Sequence, residues 1–239
     1  MEIGLKIYPK DLNTILPYSD LFSHVEVQAL LDLSSKELQK FDYNYNIHVL
    51  HQKFGFNPCI KNELNEKIIN HSLELADSVG AKNIIVHPGF DGEGKEQMLN
   101  FFDDFFDKRM LLENCPLGKS CSKYLFSLPE EMNEFQKRYN ASFILDVGHA
   151  ICSASNLGFD VFKTLNDFQK LNPKGYHIYG NNINSPLKEE HKHFHQVQTD
   201  YSYISKLNSN AFFTLETDWV EKSTKEDYVK NINFLRSFF

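Results

Sequence analysis

Phe143-Ile144-Leu145-Asp146-Val147-Gly148-His149 decides the fold. Three large apolar residues, a run that suits a strand buried on both faces, end on a carboxylate, and an imidazole follows three residues later. A buried acid with no partner carries a heavy desolvation cost, so such an ending calls for a cation or a dense hydrogen-bond network. The same ending recurs in Ile84-Ile85-Val86-His87, Leu111-Leu112-Glu113, Tyr176-His177 and Phe212-Phe213-Thr214-Leu215-Glu216. A helix-like stretch separates each case from the next. Parallel strands whose ends converge on one metal-binding mouth account for the whole pattern.

Working outward, strand-like segments fall at 2–8, 24–30, 45–51, 82–87, 110–114, 142–147, 175–180 and 211–216. They are rich in Ile, Val, Leu, Phe and Tyr, and several are continuous apolar runs, as strands of a parallel sheet require. Helices are predicted over 61–79, 96–107, 158–170 and 224–238. The first carries Leu64, Ile68, Leu75 and Val79 at helical spacing and stops at Gly80. Ser34-x-x-Glu37, Ser127-x-x-Glu130 and Ser223-x-x-Glu226 are capping-box patterns. The connection 181–210 is the least regular and reads mostly as loop.

Eight such units in 239 residues point to a single (β/α)8 barrel, a fold of typically ~250 residues, forming one domain over 1–239. The alternative is an open doubly wound sheet. That fold gathers its site at a switch point, whereas here the candidate ligands are spread over many strands. Tyr8-Pro9-Lys10-Asp11, after the first strand, also lacks the glycines of a phosphate loop.

The hydrophobic content of 41% is ample for a barrel core, and no run approaches the ~18 apolar residues of a membrane span. The start, Met-Glu-Ile-Gly-Leu-Lys, does not look like a signal peptide, and a cytoplasmic location is expected. Cys59, Cys115, Cys121 and Cys152 form no C-x-x-C pair and are expected to be reduced thiols. The net charge of -7 argues against wholesale nucleic-acid binding but leaves room for a local basic patch. Lysine far outnumbers arginine, which occurs only as Arg109, Arg138 and Arg236. Nothing in the sequence implies a protein partner.

In a barrel, functional groups sit at the C-terminal strand ends and the loops after them. In order these offer His48 and His51, His87, Glu113, Asp146 and His149, His177, the loop from Glu189 to His195, and Glu216. Imidazole with carboxylate suits Zn²⁺, Mn²⁺ or Fe²⁺. So many ligands exceed the needs of one ion and suggest two or three, an arrangement that can clamp the attacking and leaving oxygens of a phosphoryl displacement.

These motifs resemble the endonuclease IV branch (AP endonuclease family 2) of the xylose isomerase-like barrels. The resemblance runs over about 45–217. It rests on His51-Gln-Lys-Phe-Gly-Phe-Asn57, His87-Pro-Gly, Leu-Leu-Glu113-Asn, Leu-Asp146-Val-Gly-His149, His177 and Leu-Glu216-Thr. It implies one ion on His51, His87 and Glu113. Glu113 would bridge to a second ion on Asp146, His177 and Glu216, and a third would use His149 and His193. Three departures stand out. His191 occupies the place of the family's third-site aspartate, so that His191, Glu189 or Glu190 must supply the ligand if the site is kept. His195-Gln-Val-Gln-Thr lacks the family's Gly-x-Gly turn. The arginines lie away from the predicted mouth loops, leaving Lys53 and Lys192 to contact substrate as point charges.

Each residue also has a plainer reading. His48, three residues before His51, would face the other way on a strand and is read as structural, like His24 and His71. Glu26 fits a core salt bridge as well as a site. Phe54 fits packing as well as a wedge beside a flipped-out nucleotide. The loop histidines fit a solvated turn.

The first functional reading is a multi-ion hydrolase acting on DNA at abasic sites. The alternative is a sugar or sugar-phosphate isomerase or epimerase. There one divalent ion sits on Glu113, Asp146, His177 and Glu216, and Glu113 and Glu216 act as acid and base. The third is a binding protein that merely keeps the barrel.

Overall fold

The computed structural model describes residues 1–90, 94–117, 124–183, 190–217 and 220–239. Eight strands, β1 (Glu2–Ile7), β2 (Val25–Gln28), β3 (Tyr45–His48), β4 (Ile84–Val86), β5 (Met110–Glu113), β6 (Ser142–Asp146), β7 (Gly175–Ile178) and β8 (Phe212–Leu215), form a closed barrel. Every pairing is parallel, and β1 closes the barrel against β8. The (β/α)8 reading holds. Each predicted strand segment contains an observed strand.

The helices are α1 (Leu12–Ile15), α2 (Ser35–Leu38), α3 (Glu63–Val79), α4 (Lys95–Phe105), α5 (Pro129–Tyr139), α6 (Val147–Leu157), α7 (Val161–Lys170) and α8 (Lys225–Arg236). The sequence reading missed α6. It carries the crossover from β6 and stops at Gly158, whose φ of 72° suits glycine. Two predicted caps move by one residue. At α5, Glu131 rather than Glu130 accepts the amides of Ser127 and Leu128. At α8, Thr224 and Asp227 cap each other, because the segment Ser223–Asp227 offers two overlapping registers of one motif. Leu64 is 42% exposed and does not belong to the buried stripe of α3. Asn65 turns inward instead and holds the backbone of Asn57 and Ile60.

Period-two alternation places each strand's side chains in or out. Outward residues such as Ile84, Val86, Leu112 and Leu145 join the large core beneath the helices. Inward Ile85, Leu111, Ile144 and Phe212 form a separate cluster that fills the barrel interior. Above this plug the inward positions His87, Glu113, Asp146 and His177 follow directly, and Glu216 follows Thr214, so polarity switches within one or two layers. Among the described residues no helix is long and apolar enough to cross a membrane. Cys59, Cys115 and Cys152 are buried, and Cys121 lies outside the described residues.

Candidate metal centre

Among the described residues, two groups at the mouth bring ligand atoms within 4.8 Å of one another: Glu113, Asp146, His177 and Glu216; and His48, His87 and Glu113. In the first group one atom of each side chain is buried and has no hydrogen-bond partner among the described residues. These are Glu113 Oε1, Asp146 Oδ2, His177 Nδ1 and Glu216 Oε2. His177 Nδ1 lies 3.3 Å from Glu113 Oε1 and 3.1 Å from Glu216 Oε2, close enough for ion pairing but not aligned for hydrogen bonds. Four buried orphan atoms facing one point are costly unless something binds them. Three carboxylates and an imidazole are a fitting donor set for a divalent ion such as Mn²⁺, Zn²⁺ or Fe²⁺.

The opposite atoms of the same side chains are already engaged. Glu26 accepts from His177 Nε2 at 3.0 Å, which orients the ring and aims Nδ1 at the centre. Asp146 Oδ1 accepts from the amide of His149 at 2.7 Å and from the Tyr179 hydroxyl at 3.2 Å. Glu216 Oε1 accepts from Lys6 Nζ at 2.9 Å. Glu113 Oε2 lies 3.3 Å from His48 Nε2 and 3.1 Å from His87 Nε2.

The charges follow from this packing. Burial opposes ionisation of Glu113 and Glu216, but His177, His87 and Lys6 around the first, and Lys6 and His177 around the second, hold both well below the usual carboxylate range. Burial also opposes the charge of His177, yet Glu26 and Glu113 raise its pKa well above the usual imidazole range. Asp146 goes the other way: burial, reinforced by Glu216 and Glu113 against His149, pushes it up to about 6.

The remaining candidates divide. His149 lines the cavity, with Nδ1 2.6 Å from the Asn114 carbonyl and Nε2 3.7 Å from Asp146 Oδ2. His51 also lines it, stacked on His87 at 5.5 Å between centroids. His51 lies outside both ligand groups, and burial with His87 and His48 nearby lowers its pKa to about 2, so its ring is neutral. His48, set aside in the sequence, is fully buried against Glu113. The parity argument against it fails because β3 ends at His48 and His51 lies beyond the strand. His191 lines the cavity, stacks on Tyr179 and meets the Glu216 carbonyl with Nδ1 at 3.0 Å.

His193 is not brought to the mouth. Its ring is held by Ser223 at 2.9 Å and Asn231 at 2.7 Å, beneath α8. The expected third site on His149 and His193 is therefore not assembled among the described residues; Glu189 lies outside them. Glu190 accepts from the amide of Asn182. His24 bonds Thr214 and His71 the Leu30 carbonyl, both as structural histidines. Lys53 lines the cavity, Lys192 is not in its lining, and Phe54 is 39% exposed beside His51.

The mouth encloses a cavity of about 460 Å³. No arginine is among the described residues that line it: Arg109 pairs with Asp77 and Asp107, and Arg138 with Asp103. Sequence reasoning missed Lys6, Gln28, Tyr179 and Cys115, whose Sγ lies 3.6 Å from His87 Nδ1. A signal for Lys6 existed: it is a lone cation between Leu5 and Ile7, with the inward parity of Gly4.

No protein-family model matches the chain, and no curated protein sequence matches it. Solved structures do. A D-tagatose 3-epimerase-like protein superposes with a TM-score of 0.74 at 18% identity, covering 100% of this chain and 97% of that one. Endonuclease IV from Thermus thermophilus gives 0.69 at 19%, covering 100% and 98%. D-psicose 3-epimerase, solved in the presence of D-fructose, gives 0.65 at 12%, covering 100% and 98%. The structural neighbours are thus xylose isomerase-like barrels of both expected kinds, and at these identities the likeness speaks for the fold.

Proposed function

We propose that the chain is a single-ion enzyme that moves a proton at the carbon beside the carbonyl of a small sugar or sugar phosphate, as an isomerase or epimerase. One observation carries this reading. The four partnerless atoms of the first group face one point, while the outer oxygen of Glu216 is taken by Lys6 and that of Glu113 by His48, with His87 Nε2, itself without a hydrogen-bond partner among the described residues, 3.1 Å away. That arrangement accommodates one ion well and offers less to a second.

Glu113, Asp146, His177 and Glu216 would hold the ion, which when bound polarises the oxygens of the substrate. Glu113 and Glu216 flank the same point and are kept ionised, so either can accept the proton, and the glutamate that has accepted it returns it to carbon. His177 is held in one orientation by Glu26, and Asp146 by Tyr179 and the His149 amide. His51 and His87, on the cavity wall, are placed to bind substrate hydroxyls. The cavity of about 460 Å³ suits a molecule of sugar size.

The hydrolase reading keeps one supporting observation, the second group of His48, His87 and Glu113. Against it stand the displacement of His193 and the lack of an arginine in the described lining.

The test is solvent-deuterium exchange into a panel of ketoses, aldoses and their phosphates by Mn²⁺-loaded protein, alongside cleavage of an abasic-site duplex. Exchange lost in Glu113→Gln, with the duplex intact, supports the proposal. Duplex cleavage lost in the same variant, without exchange, rejects it.

A further inference from the structure

Lys6 is a charged residue near the C-terminal end of the first barrel strand, and its side chain points inward. The strand register explains why. Lys6 pairs with Glu26 on β2. Gly4 pairs with Thr214 on β8, so the next inward residue there is Glu216. The ammonium thus stands in one layer between two acids that belong to the centre and its support. It donates to Glu216 Oε1 at 2.9 Å and lines the cavity together with His87 and Glu113. An ammonium carries three N–H donors in all.

A bound ion would already neutralise Glu216, so charge balance alone does not call for a buried lysine at this depth. The other lysine of the described lining, Lys53, is solvent-exposed on the loop after β3.

We infer that Lys6 is a further catalytic residue of the mouth: its ammonium binds the substrate oxygen on which negative charge develops when the neighbouring carbon loses its proton. This rests on the proton-transfer reading. The C–H bond breaks towards a glutamate, its electron pair forms the enediolate C=C bond, and the carbonyl π pair moves onto oxygen. Lys6 stabilises that oxygen by a charge-assisted hydrogen bond without giving up its proton. Return of the proton to carbon restores the carbonyl and the free ammonium. Glu216 holds Lys6 in place, and Lys6 in turn keeps Glu216 Oε1 turned away from the converging ligand atoms.

The experiment compares wild type, Lys6→Met and Lys6→Gln in three measurements: Mn²⁺ titration, binding of acetohydroxamate (a mimic of the enediolate) to the Mn²⁺-loaded proteins, and kcat for solvent exchange. The expectation is one Mn²⁺ per chain throughout. In both variants hydroxamate binding should weaken at least roughly tenfold, and kcat should fall about 10²-fold or more. Unchanged hydroxamate binding and kcat, an effect confined to Mn²⁺ affinity, or no hydroxamate binding by wild type would each overturn the inference. Lys6-dependent hydroxamate binding without exchange on any sugar would leave Lys6 as an oxyanion-binding residue and remove the proton-transfer reading. Exchange that survives both substitutions would do the reverse.

Discussion

Glu26 accepts a hydrogen bond from His177 Nε2 at 3.0 Å, and both side chains are wholly buried. The bond fixes which nitrogen of His177 faces the converging ligand atoms. Support of this kind commonly contributes 10–100-fold to metal affinity. Glu26→Gln, which keeps shape and loses charge, is therefore expected to weaken Mn²⁺ binding by roughly that factor while the fold persists. Titration of the metal-free variant checks it; unchanged affinity would show that packing alone orients the ring.

Metal uptake should depend on pH in two stages. Asp146 is pushed up to about 6, first by burial and then by Glu216 and Glu113. His177 is held well above the usual imidazole range by Glu26 and Glu113 against burial. Both must shed protons to serve as ligands. Below pH about 6 each ion displaces a proton from both residues; above it, from His177 alone. Affinity should thus rise steeply with pH up to about 6 and more gently beyond. Calorimetry in buffers of different ionisation heat counts the protons released, and a pH-independent affinity would contradict these assignments.

Gly148 leaves room for Tyr179: a Cβ there would lie 2.1 Å from the tyrosine hydroxyl, which donates to Asp146 Oδ1 at 3.2 Å. Gly148→Ala should cost about 1–3 kcal/mol by overpacking and release Asp146 from its bond. Denaturant unfolding and Mn²⁺ titration read the two effects. Adding Tyr179→Phe should recover little of the stability, because the ring carbons stay 2.4 and 2.7 Å from the added Cβ, and none of the lost hydrogen bond to Asp146.

His193 tests the missing third site. Both ring nitrogens are engaged beneath α8, by Ser223 and Asn231. His193→Gln should leave the metal content unchanged and reduce stability by about 1–3 kcal/mol, the usual effect of disturbing a buried hydrogen-bond network. Loss of a bound ion in this variant would restore the histidine to the centre.

Much of the barrel was legible because its strands are continuous apolar runs ending on ligand side chains, a pattern few other folds need. Glu113, Asp146, His177 and Glu216 were legible for the same reason. His48 was not, because period-two parity was carried past the end of β3, where the chain leaves the strand. Lys6 was missed because a lysine on a strand reads as solvent-facing until the register sets it beside Glu26 and Glu216. His193 was misplaced because a loop motif does not reveal which way it turns; Ser223 and Asn231, far along the chain, decide that.

The central claim is a single divalent ion on Glu113, Asp146, His177 and Glu216. Elemental analysis of the purified protein after Mn²⁺ or Zn²⁺ loading and desalting tests it most directly. The account predicts one ion per chain, abolished in a His177→Asn variant and retained in Lys6→Met. Two or three tightly held ions per chain would contradict it.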